Sequence, residues 1–436
     1  MLRLTHVVCG VLLAASAPNL ASDPEVAGSI DLAKAGQYFE EMDALCAEDG
    51  GKLWGVSFCG PLLFVDPPSR MIVANQVDDS GVLAPRAGVF AGRLPDDVGI
   101  ANTTIEWGGT RWTMLMWWSL SEDRARRSRL LAHEAFHRIQ PELGLDTYGE
   151  INAHLETAKA RYWMQMEWNA LGKALLAESD VRREAVADAL TFRAARRTRF
   201  PEAAEREIPL EIFEGLAEYS GMRLAGYSPE RVVEAVSAKR EGETGFVRSF
   251  AYVSGPLYGY LLDASGTDWR NRMGPGVDMG ALLGESLEVA AGSDEMARTR
   301  ADSYGGAEVR RAETDRERER DLRLAAWRKT LVDGPVLVFD LKAVSSGSFD
   351  PGKVFPFAEN QTVYTVRELI AEWGVLTVDG GAILEDDATG RAYVSLSGVS
   401  QDLGKGEGWT LALAEGWKIF PAERAEDLVV RKVRTD

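Results

Sequence analysis

Leu130-Leu131-Ala132-His133-Glu134-Ala135-Phe136-His137-Arg138-Ile139 is the stretch on which the reading of this chain turns. Ser121 is placed to cap a helix, Glu122 and Asp123 suit its positive end, and Pro141 stops it. On such a helix His133 and His137, four residues apart, lie on one face and are near enough to share one Zn²⁺. Glu134 is turned about 100° around the axis, so it would reach a water beside the ion without becoming a ligand. The chain has only 4 histidines, so finding two at this spacing is selective.

N-terminal to this helix the pattern is mostly that of a sheet. Residues 30–48 read as a helix, with Leu32, Ala35, Phe39, Met42 and Leu45-Cys46 near helical spacing. Leu62 to Val65, Met71 to Val73 and Gly88 to Phe90 are short apolar runs between Gly, Pro and Asp clusters. Thr103 to Trp107, Gly108-Gly109 and Arg111 to Trp118 read as a hairpin. C-terminal to the His133 helix the chain turns helical. Long helices are expected from about Glu150 to Glu178, from Asp180 to Arg199 ahead of Pro201, and from Pro209 to near Gly226. Further helical stretches, including Tyr252 to Leu262, fall within 230–290.

Zinc in a catalytic site takes three protein ligands and keeps a position for water. Phe213-Glu214-Gly215-Leu216-Ala217-Glu218-Tyr219 supplies a candidate third ligand. Together with His133 to His137, this segment resembles the ligand helices of the gluzincin metallopeptidases, which share a thermolysin-like and aminopeptidase-like catalytic core. The resemblance implies Glu214 as the third zinc ligand and Glu218, one turn on, as the carboxylate that orients a ligating histidine. It implies Glu134 as the general base. Tyr252-Val253-Ser254-Gly255 resembles the family's Tyr-x-x-Gly turn, which implies Tyr252 as a donor to an oxyanion; packing in a core is the alternative. Arg111 to Trp118 occupies the place of the family's edge strand. There are departures. The stretch between His137 and Glu214 is longer than the family's usual spacer and would form an inserted helical hairpin. A Gly-x-Met-Glu-Asn segment is missing, so an aminopeptidase is not supported. His154 and Asp146, both within the long stretch, are rival third ligands.

The ends complete the organisation. Val7 to Ala17 is an apolar run too short to span a bilayer, followed by small residues, which reads as a signal peptide over 1–21 cleaved after Ala17 or Ala21. Its removal leaves Cys46 and Cys59, expected to form one disulfide in a secreted or periplasmic protein. A zincin-like domain of α+β class, an N-terminal sheet plus a helical half, is expected over 22–292. A charged helical linker follows over 293–334, and a small all-β domain over 335–436 carries no histidine. The formal charge of -18 argues against nucleic acid and anionic membranes as partners. No segment of the mature chain is long and apolar enough to span a membrane.

The expected activity is zinc-dependent hydrolysis of a peptide or protein substrate. Two alternatives stay open: a silent zincin-fold binding protein of the cell envelope, and a zinc hydrolase of a non-peptide bond. An intact Glu134 speaks against the silent scaffold, which has no need of a general base.

Overall fold

The structure is a computed structural model that describes residues 30–147, 149, 151–242, 245–399 and 403–433. The expected signal peptide lies outside the described residues. Helix and sheet are mixed in an α+β arrangement. The chain divides into two compact units, with the boundary between Glu313 and Thr314.

The first unit opens with α1 (Leu32–Asp49), whose buried Ala35, Phe39, Met42 and Cys46 recur at helical spacing. Asp31 caps it, accepting from the amides of Ala33 and Lys34, and Gly50 closes it in the left-handed region. A six-stranded sheet follows, built from β1 (Leu62–Val65), β2 (Met71–Ala74), β3 (Ala84–Arg86), β4 (Val89–Arg93), β5 (Thr103–Trp107) and β6 (Thr110–Met116). Its order is β3-β4-β2-β1-β6-β5. β1 and β6 are parallel and the other pairs antiparallel. Pro85 is tolerated because β3 is an edge. Gly108 and Gly109 both take positive φ, as the tight β5–β6 turn requires.

The expectation that Arg111 to Trp118 forms the edge strand does not hold. β6 lies between β1 and β5, and β5 is the edge. The reason is burial: Trp112 to Met116 is buried at every position, the mark of a strand covered on both faces, whereas β5 is partly exposed throughout.

Helix α2 (Arg124–Ile139) follows β6 through a short 3₁₀ turn. Its cap is Asp123, which accepts from the Arg126 amide, and not Ser121 as expected. Ser121 instead accepts from the Asp123 amide. Arg127 ties α2 to α1 by gripping Glu41 at 2.9 and 2.7 Å. Helix α3 (Ala158–Leu175) starts later than expected, because Thr157 accepts from the Ala160 amide and caps it there. Helix α4 (Ser179–Arg199) packs along α3, and the two fill the long stretch between the ligand segments. Helix α5 (Ala203–Leu210) contains Pro209 in its interior, where the sequence suggested a helix start. Proline withholds one N–H from the ladder, and the winding widens directly afterwards into a π-turn, Glu211–Gly215. Helices α6 (Leu216–Leu224), α7 (Pro229–Gly242), α8 (Ala251–Ala264), α9 (Met279–Leu287) and α10 (Asp294–Arg300) follow.

Two close approaches bring the functional elements together. Gly221 of α6 lies against α2, where a Cβ would stand 2.5 Å from the Arg129 carbonyl oxygen. Gly255 of α8 crosses the π-turn so tightly that a Cβ would stand 2.3 Å from the Gly215 Cα. Behind the π-turn lies a buried charge cluster. Arg193 pairs with Glu167 at 2.9 Å and Glu211 at 2.5 Å, and Arg196 pairs with Glu207 at 2.8 Å and also with Glu167. Arg193 and Arg197 both reach Asp278.

Helix α11 (Gly306–Trp327) carries the boundary between the units. Residues 293–313, expected to begin the linker, pack in the first unit: Arg300 and Tyr304 hold Asp188, and Glu313 pairs with Arg161. The second unit is strand-rich: β7 (Val336–Asp340), β8 (Val344–Phe349), β9 (Val354–Ala358), β10 (Gln361–Ala371), β11 (Gly374–Asp386), β12 (Arg391–Ser395), β13 (Lys405–Gly406), β14 (Trp409–Leu413), β15 (Trp417–Pro421) and β16 (Leu428–Lys432). Its core gathers Leu337, Phe339, Trp373, Leu376 and Ile383.

Cys46 and Cys59 are joined in a disulfide, with Cα atoms 5.3 Å apart. It links the end of α1 to the approach to β1. A closed loop this short stabilises by about 3 kcal/mol in the chain-entropy model. The double change Cys46→Ala with Cys59→Ala is therefore expected to lower stability by about 2–3 kcal/mol, read from the denaturant midpoint. An unchanged midpoint would show that the link contributes nothing.

Candidate metal centre

α2 is anchored by buried Leu130, Leu131, Phe136 and Ile139, which turn His133, Glu134 and His137 inward. The π-turn swings Glu214 toward them. The imidazole Nε2 atoms of His133 and His137 are 3.2 Å apart. One Glu214 oxygen lies 3.6 Å from the first and 3.4 Å from the second. Among the described residues, these three side chains form the group able to hold a metal ion, and all three are buried. An ion bound tetrahedrally at about 2.0–2.1 Å spaces its ligand atoms about 3.3 Å apart, so the three edges fit such an ion.

The hydrogen bonds on the far side of the rings fix what faces inward. His133 Nδ1 is 3.0 Å from a Glu218 oxygen, and His137 Nδ1 is 2.6 Å from Gln140 Oε1. Both partners accept, so each Nδ1 carries the proton and each Nε2 presents a lone pair. Two lone pairs and a carboxylate oxygen thus converge on one point, an arrangement that calls for a cation. The same point also draws a proton, which competes with a metal cation for the His133 Nε2 position. Burial opposes charge on His133, but its hydrogen bonds to Glu214 and Glu218 outweigh this and push it up to about 10. Burial alone would raise the Glu214 carboxyl, yet its hydrogen bonds to His133 and His137 carry it well below the usual carboxylate range.

Glu134 stands apart from the ligand group. It is fully buried, and neither carboxylate oxygen has a hydrogen-bond partner. Burial pushes it up to about 7 against the opposing pull of His133 and His137. A bare buried carboxylate is costly and calls for a partner such as water or substrate. Tyr252, on the first turn of α8, donates to Glu214 at 2.7 Å and lies parallel to the His133 ring with centroids 5.6 Å apart. Glu218 is held from its other side by Arg129 at 3.2 Å.

The rival ligands are placed elsewhere. His154 Nε2 is 2.9 Å from Glu207, within the charge cluster, and Asp146 is exposed. Neither joins the metal group. Sequence reasoning missed Gln140 and Arg129. Their offsets from the histidines were the available signal, since Gln140 is three residues after His137 and Arg129 four before His133, both on the neighbouring turn. Phe213 also packs on the His137 ring, with centroids 4.7 Å apart. No protein-family model, curated protein or solved structure matches the chain, so the geometry of this centre carries the functional reading.

Proposed function

We propose that the protein is an exported, zinc-dependent peptidase with a zincin-like catalytic unit of the gluzincin type. One observation carries the reading: three inward-facing ligand atoms at tetrahedral spacing beside a buried carboxylate without a partner. His133, His137 and Glu214 would hold the ion, and the mixed imidazole and carboxylate donor set suits zinc. Zinc there supplies Lewis acidity, polarising a carbonyl and acidifying water.

The remaining work falls to the chain's own residues. Glu134 takes a proton from water as the water oxygen bonds to the scissile carbonyl carbon, and returns it to the amine nitrogen as the C–N bond breaks. Tyr252 keeps its proton, since burial and the neighbouring Glu214 both raise its phenol, and its single O–H, which here donates to Glu214, would have to turn from that carboxylate to the oxygen that gains charge. Glu218 and Arg129 keep the His133 ring in the ligating tautomer. The Cys46–Cys59 link supports an oxidising compartment. Among the described residues no helix is long and apolar enough to cross a membrane.

Protein purified without chelator is expected to carry about one zinc per chain and to cleave members of a broad peptide library, losing activity to chelator and regaining it with zinc. Failure to carry or take up zinc would sink the reading. Zinc without cleavage of any peptide would leave a metal centre but remove the peptidase.

A further inference from the structure

We infer that Gln140 is a positioning residue that couples two of the metal ligands, fixing the tautomer of His137 and the place of Glu214 through a single amide. The inference rests on the proposed metal centre. Gln140 is fully buried at the C-terminal cap of α2. Its Nε2 donates to the Phe213 carbonyl at 2.9 Å and lies within reach of those of Ile212 at 3.3 Å and Leu145 at 3.4 Å. Its Oε1 faces His137 Nδ1 at 2.6 Å.

These contacts determine the orientation of the amide. Three carbonyl oxygens surround one end, so that end must be the NH₂ group; the reverse placement would set oxygen against three acceptors. The oxygen is then left for His137, whose Nδ1 must donate, which leaves the Nε2 lone pair aimed at the point it shares with Glu214 and His133. Phe213 and Ile212 belong to the π-turn that carries Glu214, in the residues just before it. The winding of that turn therefore sets the Gln140 amide, and the amide sets the imidazole. His133 has no such link, because its Nδ1 is held by a carboxylate from α6. The two histidines are thus oriented by different elements, and His137 is the one whose orientation depends on the turn bearing the third ligand.

The test compares zinc affinity, by chelator competition, with the imidazole nitrogen–proton NMR signals of the zinc-loaded chain. Gln140→Met keeps the length and apolar bulk of the side chain and removes both polar ends. It is expected to weaken zinc binding by about 10–100-fold and to lose the slowly exchanging His137 Nδ1 proton, while the His133 signal stays. Gln140→Glu keeps the acceptor and turns the donor into a carboxylate facing the Phe213 carbonyl. It should retain the His137 signal yet still bind zinc more weakly, because only the grip on the π-turn is broken. Zinc affinity of Gln140→Met within about threefold of wild type, with an unchanged His137 signal, would overturn the inference. If both variants misfold, wild type decides: a slowly exchanging His137 Nδ1 proton supports the coupling, and zinc on Nδ1 or rapid exchange of that proton overturns it. Wild type that binds no zinc would instead bring down the metal reading, and this inference with it.

Discussion

Glu214→Ala is expected to lose most of its zinc and nearly all turnover, because it removes one of three atoms that meet at the same point. The comparison across neighbouring acids and imidazoles gives the result its force. Glu218→Ala deletes the partner of His133 Nδ1 and of Arg129 but no ligand atom, and outer partners of this kind are worth about 10–100-fold in metal affinity. His154→Ala should leave zinc in place, since His154 is paired with Glu207 outside the ligand group. Metal content after dialysis, with affinity by competition, orders the three variants. Zinc retained by Glu214→Ala and lost from His154→Ala would move the third ligand from the π-turn to the segment that precedes α3.

The second large effect separates binding from chemistry. Glu134→Gln should keep its zinc and lower turnover by about 10²–10⁴-fold, the usual contribution of a general base. The amide fills the same space but does not take up a proton. Its NH₂ group would also face surroundings in which Glu134 makes no hydrogen bond, so the metal-free variant needs a stability check alongside the assay. Turnover within about tenfold of wild type, with zinc bound, would remove Glu134 from the base role.

The residues differ in how openly they announced themselves. His133, Glu134 and His137 lie within one helical turn, and their geometry follows from helix periodicity alone. Glu214 was visible only through the resemblance of its segment, and the π-turn that aims it follows a proline that reads equally well as a helix start. Gln140 offered only its offset from His137, and its coupling role was not legible, because that depends on carbonyls contributed by a turn far along the chain. The strand order was misread at β6, although Trp112 to Met116 lacks the alternation of an edge strand exposed on one face. In the second unit the apolar runs Val336 to Phe339, Val375 to Val378, Ala392 to Leu396, Trp409 to Leu413 and Leu428 to Val433 read as strands, whereas β8, β9, β10, β13 and β15 escaped notice: Val344 to Phe349 is mostly Ser and Gly, and Gln361 to Ala371 buries few of its side chains fully. The charge cluster was invisible for a simpler reason. Arg193, Arg196, Glu207 and Glu211 read as ordinary solvated helix residues, and charged side chains are rarely so buried unless paired.

That cluster also bears on how the chain can change over evolutionary time. Glu167 is shared by Arg193 and Arg196, and Arg193 also holds Glu211. Losing one partner strands a buried charge, at a cost of about 3–5 kcal/mol, whereas exchanging a whole set for apolar residues of similar volume is often neutral. Single substitutions at these positions are therefore traps, and drift must pass through matched replacements spread over α3, α4, α5 and the π-turn. The lineage of this protein should carry these positions as a block that co-varies, so that the interior beneath the third ligand changes in jumps while the surface around it diversifies freely.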